Sequence, residues 1–290
     1  MPFCKYGPQQ HRSWNANSAS EYACSSPLLC LRSVITRTMT DADITRAVAL
    51  LNTDERERFA RIGAPADRRD YAAAHALLRQ MLTDTEPNIA PDAWRFERTA
   101  HGKPYLSPLL AGASPIRFSL SHTSGLVACA VSRDAEVGID VEGNARIVDV
   151  DLMMRAVCSS GEQMQLSDVV PSARTEYFLD LWTLKEAYMK ARGIGIPAAL
   201  DQVSFTLSPS ATISASLPEN SVGSWWLALI RLSSAGRLSI AMAADPGSIP
   251  ILDAAVIGLE GSLESLTPTQ TSAPFHSLSS TTLKCLRKSP

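Results

Sequence analysis

Hydrophobic residues recur at helical spacing in the first part of the chain. Thr40-Asp-Ala-Asp43 has the form of a capping box and predicts a helix over 44–51. Thr53 starts a second short helix, which carries Arg58 and Arg61. A longer helix is predicted over 67–81, where the positions of one face recur at steps of four, three and four: Tyr71, His75, Leu78 and Leu82.

Apolar and β-branched runs predict strands in the middle of the chain. Segments 94–97 and 116–120 are strand-like. Two further runs, 126–131 and 136–141, are joined by Ser132-Arg-Asp-Ala135 and predict a β-hairpin.

The second part of the chain repeats the order of helices followed by strands. A helix is predicted over 148–157, the capping box Ser159–Glu162 starts another, and a third over 174–192 ends at Gly193. Strands are expected at 203–207, 211–217, 225–232 and 237–243. We therefore predict an α+β fold of two similar α/β halves, 39–141 and 142–245, each a small antiparallel sheet packed with helices around a pseudo-twofold axis.

The two ends of the chain lack such periodicity. Residues 1–38 are predicted to form a disordered N-terminal extension, and residues 246–290, rich in Ser, Thr and Pro, a disordered tail. The acid-poor N-terminus also has the composition of a targeting peptide, but no continuous apolar segment follows a basic start. Deletion of residues 1–38 is accordingly expected to leave activity unchanged.

Composition narrows the class of protein. With 290 residues and 45% apolar content the chain can bury a sizeable core. The net charge of −2 provides no basic field, which argues against a nucleic-acid partner. The absence of an apolar run of membrane-spanning length argues against a membrane protein. Six cysteines without metal-binding spacing indicate reduced thiols and a cytoplasmic location.

Candidate chemistry lies in two segments. In the strand 137–142, Asp140 and Glu142 project from one face. In the helix, Trp182, Glu186 and Lys190 share one stripe. If this stripe packs on the strand, three carboxylates meet, and their repulsion is relieved by a hard cation such as Mg²⁺ that also binds phosphate oxygens.

Each segment by itself has an ordinary interpretation. Glu186 and Lys190 could form an exposed ion pair between successive helical turns. Asp140 could mark a turn at the end of a strand, because Asp has low strand propensity. The combination of the two segments is much less probable by chance than either of them alone.

Four ordered motifs resemble those of the 4′-phosphopantetheinyl transferase superfamily, and in particular its larger monomeric, surfactin-synthetase-activating type. They are Gly102-Lys-Pro104, Phe118-Ser-Leu-Ser-His-Thr-Ser-Gly125, Val137-Gly-Ile-Asp-Val-Glu142 and Trp182-Thr-Leu-Lys-Glu-Ala-Tyr-Met-Lys190. The resemblance covers about residues 39–245 and neither terminal segment.

The resemblance implies transfer of 4′-phosphopantetheine from coenzyme A to a serine of apo acyl or peptidyl carrier proteins, with release of 3′,5′-ADP. Asp140, Glu142 and Glu186 would bind Mg²⁺, with Mn²⁺ as an open alternative, and Lys190 would hold a diphosphate oxygen. Asp140, Glu186 and Lys190 are thus the expected catalytic residues. Either Glu186 or a metal-bound water would take the proton of the serine.

Further contacts to coenzyme A are implied by the same resemblance. The expected residues, besides Asp140 and Lys190, are Arg58, Arg61, Lys103, Pro104, Ser121 and His122. The ordinary alternatives are a solvated turn for Lys103, a turn or core histidine for His122 and a solvated helix face for the arginines. Where the family often has a lysine near the start of that helix, this chain has Glu55.

Two other functions remain open on the sequence alone. A Mg²⁺-dependent hydrolase of a nucleotide diphosphate would use the same carboxylates without a carrier, and would release phosphopantetheine from coenzyme A by itself. A non-catalytic carrier-binding module would have no need of the three acids and Lys190. For the transferase, the carrier is expected to dock on 148–157 and the loop to Arg174.

Overall fold

The computed structural model describes residues 28–108, 116–146, 148–195, 200–218, 224–232, 235–245, 248, 250–257 and 263–277. Its helices are α1 (Asp41–Ala49), α2 (Thr53–Arg61), α3 (Pro65–Thr85), α4 (Val150–Val157), α5 (Ser160–Asp168) and α6 (Pro171–Arg192). Its strands are β1 (Leu28–Ile35), β2 (Phe96–Arg98), β3 (Pro104–Leu106), β4 (Ile116–Thr123), β5 (Leu126–Arg133), β6 (Val137–Gly143), β7 (Ser204–Leu207), β8 (Ile213–Ser216), β9 (Ser224–Leu232), β10 (Gly236–Ala244), β11 (Ile251–Ile257), β12 (Leu263–Ser265), β13 (Gln270–Thr271) and β14 (His276–Ser277).

Two larger sheets organise the fold. The first has the order β12-β11-β1-β5-β4, with β14 also paired to β11, and the second has the order β13-β9-β10-β6. The pairs β2–β3 and β7–β8 form separate small antiparallel sheets. The α+β class is confirmed, but the first sheet is mixed rather than antiparallel, because β1 pairs with β11 in parallel.

The sheets pack face to face, and a long helix covers the outer side of each. Alternate residues of β5 divide between the two cores: Leu126, Ala128 and Ala130 face the second sheet, whereas Val127, Cys129 and Val131 face α1 and α3. Helix α6 covers the outer side of the second sheet in the same way. Because a strand buried on both faces needs apolar residues at nearly every position, β5 is apolar from Leu126 to Val131.

Local signals place most helix boundaries. The side chains of Thr40 and Asp43 form a reciprocal capping box at the start of α1, and Ser159 and Glu162 form one at the start of α5. Gly193 ends α6 in the left-handed conformation, with φ of 65°. These predictions are confirmed, and the predicted strands of the second half are found within two residues of their expected bounds.

The predicted hairpin 126–141 is wrong. Strand β5 pairs with β1 and β4, whereas β6 pairs with β10 in the other sheet. Residues 134–136, between the two strands, therefore carry the chain from one sheet to the other. As a consequence, the expected boundary at 141/142 passes through β6, a strand of the second sheet.

The predicted terminal segments are also partly folded. Residues 28–35 form β1, which lies between β11 and β5, and residues 251–257 form β11. Arg32 and Asp253 join them by a two-pronged ion pair, with nitrogen–oxygen distances of 2.8 and 3.1 Å. Hence the two segments that lack periodicity in the sequence supply neighbouring strands of one sheet. Residues 1–27 and 278–290 lie outside the described part of the chain.

Gly138 allows β6 to lie directly against α6. A Cβ atom at this position would overlap the carbonyl oxygen of Ala187 and the backbone nitrogen of Ala191. We expect Gly138→Ala to destabilise the fold by about 3 kcal/mol or more, because two backbone segments would have to separate. Gly143→Ala is the matched control at the end of the same strand, since its nearest neighbours are 3.8 Å away or more.

Urea unfolding of the two variants measures this difference. A Gly138→Ala midpoint equal to that of Gly143→Ala would show that β6 and α6 are not in close backbone contact.

Among the helices of the described residues, none combines the length and the hydropathy needed to cross a membrane.

Candidate active site

Strand β6 presents its two acids to α6. Val137, Ile139 and Val141 contribute to the core between the sheets, so Gly138, Asp140 and Glu142 lie on the opposite face, as the alternation predicts. Asp140 and Glu142 are nonetheless buried, at 5% and 6% exposure.

Helix α6 presents Trp182, Glu186 and Lys190 to β6, as predicted. Lys185 points elsewhere: it is fully buried, pairs with Glu162 at 2.7 Å and donates to the carbonyl oxygens of Leu200 and Val203. Glu162 therefore does more than cap α5, which the sequence did not indicate.

Asp140 is the most connected acid of the site. Its Oδ1 accepts hydrogen bonds from Ser121 Oγ at 2.9 Å and from Lys190 Nζ at 2.6 Å. Lys190 Nζ also donates to Ser121 Oγ at 3.0 Å. Lys190 thus pairs with Asp140, on the neighbouring strand, and the two belong to one hydrogen-bonded cluster with Ser121.

Glu142 has a different set of partners. Its Oε1 accepts from the indole nitrogen of Trp182 at 3.0 Å and forms an ion pair with Arg146. The Arg146 guanidinium lies 5.6 Å from the centre of the Trp182 ring, within reach of a cation–π contact.

Two buried carboxylate oxygens in the described part of the chain have no hydrogen-bond partner, Asp140 Oδ2 and Glu186 Oε1. Burial, the largest cause, and the Asp140 carboxylate together raise the pKa of Glu186 to about 7, against the opposing effect of Lys190 and Arg146. Such oxygens suit a hard cation such as Mg²⁺. Within the described residues, however, no three acidic, His or Cys side chains meet closely enough to bind a metal. The predicted set of three converging carboxylates is therefore not assembled, because Glu142 is held by Trp182 and Arg146.

The raised pKa of Glu186 predicts a pH-dependent stability. The unfolded chain releases this proton near its ordinary pKa of 4.5, whereas the folded protein keeps it until about pH 7. The free energy of unfolding therefore falls as the pH rises from about 4.5 to 7. The total decrease is about 3 kcal/mol and is reached above pH 7. Gln cannot ionise, so Glu186→Gln is expected to gain stability relative to the wild type over this range.

Thermal melting of both proteins between pH 4.5 and 8, in the presence of a chelator, measures the effect. A constant difference in Tm across this range would contradict the raised pKa.

Two serines of β4 join the sheets next to the acids. Ser119 Oγ accepts from the amide of Ile139 at 3.0 Å, and Ser121 Oγ accepts from the amide of Val141 at 3.3 Å. Both serines are buried. Their spacing of two residues on β4 matches the spacing of the two amides on β6, so the site is built across the two halves of the chain.

A cavity of about 540 Å³ opens at this junction. Its lining includes Asp140, Glu142, Arg146 and Lys190, and from β4 the segment Leu120–Thr123. His122 is exposed and lies in β4 opposite Val127, so it is neither the turn histidine nor the core histidine of the ordinary alternatives.

The turn itself is at Ser124 and Gly125, where φ of Gly125 is +81°. Buried Asp70 of α3 fixes this turn: it accepts from the Gly125 amide at 3.0 Å and from the hydroxyl of Thr36.

A second cavity of about 270 Å³ lies beside the first and shares Leu120 and Lys190 with it. Lys103 and Pro104 line it, together with Phe118 and Met189. Lys103 Nζ donates to Glu136 and to the carbonyl oxygen of Ala191, both at 2.6 Å. Lys103 is therefore a bridge between the β2–β3 hairpin and the end of α6.

The structure does not bring Arg58 and Arg61 into the lining of either cavity. Both are exposed on α2, and the guanidinium of Arg58 lies over the ring of Tyr71. Glu55 is the third residue of α2 and completes the capping box of its N-cap residue Asn52, and its carboxylate also binds His75 and Arg79. Although burial acts in the opposite direction, these two partners lower the pKa of Glu55 to about 2.

Sequence reasoning missed Arg146, Ser119, Asp70 and Glu136. The alternation of Ser119 and Ser121 on β4 is a signal that a second strand lies alongside. Arg146, Asp70 and Glu136 bind partners that no local sequence pattern predicts.

Comparisons with known proteins identify one family over both sheets. The model of the 4′-phosphopantetheinyl transferase superfamily matches residues 136–243, and that of the 4′-phosphopantetheinyl transferase N-terminal region matches residues 38–134. The two matches meet between β5 and β6, where the chain passes from one sheet to the other. Neither match includes β1 or β11.

Individual relatives are similar over more than half of this chain. 4′-Phosphopantetheinyl transferase HetI of a Nostoc species is 31% identical over 170 residues, which are 59% of this chain and 70% of that protein. A 4′-phosphopantetheinyl transferase of Bacillus subtilis is 28% identical over 187 residues, 63% of this chain and 78% of that protein. A phosphopantetheinyl transferase of a Thraustochytrium species is 29% identical over 184 residues, 60% of this chain and 63% of that protein.

Proposed function

This chain belongs to the 4′-phosphopantetheinyl transferase superfamily and transfers phosphopantetheine to carrier proteins. From that premise we propose which of its residues bind coenzyme A, a divalent cation and the carrier protein. Coenzyme A is the donor, a serine of an apo acyl or peptidyl carrier protein is the acceptor, and 3′,5′-ADP leaves. The observation that carries the assignment of the site is the pair of buried, unpartnered oxygens on Asp140 and Glu186.

Mg²⁺ is the proposed cofactor, with Asp140 and Glu186 as ligands and Glu142 as the third. When bound, the cation neutralises the charge that develops on the leaving phosphate. The donor set supports this choice, because carboxylate oxygens are the ligands that Mg²⁺ prefers and two of them lack any other partner.

The diphosphate of coenzyme A is proposed to lie in the larger cavity and the nucleoside end in the smaller one. Lys190 lines both cavities and can donate to a phosphate oxygen while it stays close to Asp140. Exposed His122 supplies a donor at the wall of the larger cavity, near the bound phosphates. The apolar side chains of Phe118, Leu120 and Met189 suit a nucleobase.

Glu186 is the proposed general base. Glu186 is also a proposed ligand of the cation, which would lower its basicity, so the serine proton is taken by Glu186 itself or by a water molecule that relays it to Glu186. The serine oxygen of the carrier forms a new bond to the phosphorus nearest the pantetheine, the bond from that phosphorus to the bridging oxygen breaks, and the serine proton passes to Glu186 directly or through water. Lys190 donates to the phosphate oxygens as this happens.

The carrier is proposed to dock on the segment from α4 to the start of α6. Three of the four exposed large apolar side chains in the described residues lie there: Leu152, Met164 and Val170, at 58%, 69% and 63% exposure. This segment includes α5, the helix that the capping box Ser159–Glu162 predicts. Since β4, β6 and α6 of one chain complete the site, a monomer is the proposed active form.

A transfer assay tests the proposal. The full chain is incubated with coenzyme A, Mg²⁺ and an apo carrier domain, and mass spectrometry follows addition of phosphopantetheine to the carrier. The matched controls are a carrier with Ser→Ala at the modified position and the enzyme variant Glu186→Gln. Modification of the wild-type carrier alone supports the proposal. Release of phosphopantetheine from coenzyme A without a carrier would instead favour the hydrolase, and no reaction with several carriers would overturn the assignment.

A further inference from the structure

Arg146 occupies a ligand position of the proposed metal site. Its guanidinium pairs with Glu142 Oε1, the oxygen that also accepts the indole hydrogen of Trp182. Glu142 is therefore turned toward two donors, whereas Asp140 and Glu186 each retain a buried oxygen without a partner in the described chain. The three acids thus differ in one respect: only Glu142 has its own arginine counter-charge.

Arg146 is placed to leave Glu142 easily. Its side chain is 36% exposed, whereas that of Glu142 is 7% exposed. The guanidinium also lies over the Trp182 ring at the wall of the larger cavity. It can therefore move outward and keep its contact with the aromatic face and with water, while the carboxylate stays fixed on the strand.

We infer that Arg146 is an internal counter-ion of the metal site, which competes with the divalent cation for Glu142 and so sets the metal affinity of the free enzyme. The inference rests on the proposed function, because it assumes that the cation binds at Asp140 and Glu186. Two effects of Arg146 act in the same direction: it occupies an oxygen that the cation needs, and its positive charge repels the cation. Removal of the guanidinium therefore strengthens metal binding.

Titration with Mn²⁺ in the absence of coenzyme A tests this directly, because the readout does not depend on turnover. Free Mn²⁺ is measured by electron paramagnetic resonance in solutions of the full chain. Arg146→Gln is expected to bind Mn²⁺ about five- to tenfold more tightly than the wild type, the effect of one lost ion pair and one lost charge. Arg146→Met keeps an apolar contact with Trp182 and is expected to show the same increase in Mn²⁺ affinity. It replaces Arg146→Gln in the titration if that variant fails to fold.

Arg155→Gln is the matched control. Arg155 is exposed on α4, so the variant loses the same charge away from Glu142 and is expected to bind Mn²⁺ as the wild type does. Equal or weaker Mn²⁺ binding by both Arg146 variants, with melting temperatures near that of the wild type, would overturn the inference.

Failure of the metal site itself has a different signature. Asp140→Asn combined with Glu186→Gln should abolish Mn²⁺ binding if these residues are the ligands. Unchanged binding by this double variant would overturn the metal assignment in the proposed function. Loss of binding in the double variant together with unchanged binding in Arg146→Gln would overturn the role of Arg146 alone.

Discussion

Replacement of Asp140 by Asn is expected to lower kcat/KM for phosphopantetheine transfer on the order of a thousandfold. Asn has the size of Asp but no charge. It cannot hold the Lys190 ammonium by an ion pair, and it offers no anionic oxygen where Asp140 Oδ2 is now buried without a partner. One substitution therefore removes a proposed metal ligand. It also releases the Lys190 ammonium, which is proposed to hold the diphosphate.

Ser119→Ala is the control for a purely structural effect. Ser119 joins β4 to β6 as Ser121 does, but its hydroxyl binds the Ile139 amide and no carboxylate. Loss of one buried hydrogen bond should cost about 1 kcal/mol of stability and little activity. Transfer to an apo carrier is followed at saturating coenzyme A, with circular dichroism to verify folding. If Asp140→Asn retained more than a tenth of wild-type activity, Asp140 would not be at the reaction centre.

Deletion of residues 1–38 is expected to prevent folding, which reverses the expectation from sequence. The deletion removes β1 from its position between β11 and β5. Leu29, Leu31 and Val34 of this strand are buried, and burial of each apolar side chain contributes about 1.5–3 kcal/mol. The loss of about 5 kcal/mol or more is comparable to the whole stability of a typical domain.

The deletion would also leave a charge without its partner. Asp253 on β11 is 8% exposed and loses the guanidinium of Arg32. Deletion of residues 1–27 is the matched control, because it removes none of the contacts described for β1. Soluble yield and thermal melting distinguish the two truncations. A folded, active protein that begins at residue 39 would show that β11 can complete the sheet without β1.

The sequence determined those features that depend on near neighbours. The capping residues Thr40 and Ser159 fix helix starts, because their hydroxyls bind amides three residues away. Alternation along β6 determines that Asp140 and Glu142 share a face, and the helical period determines that Glu186 and Lys190 do. The four motifs were sufficient to identify the family. These properties follow from local backbone geometry.

Only the tertiary structure decided which distant groups meet. Strand β1 pairs in parallel with a strand more than 200 residues later, with Arg32 and Asp253 separated by 221 positions. The pattern of residues within β1 or within β11 does not predict that these two strands pair. The same holds for Glu142, whose partner Arg146 is near in sequence but beyond the end of β6, where neither the strand nor the helix period applies. Side-chain pairing in a buried site is set by the packing of the whole chain, because burial makes each unpaired charge costly and so selects the nearest available counter-charge.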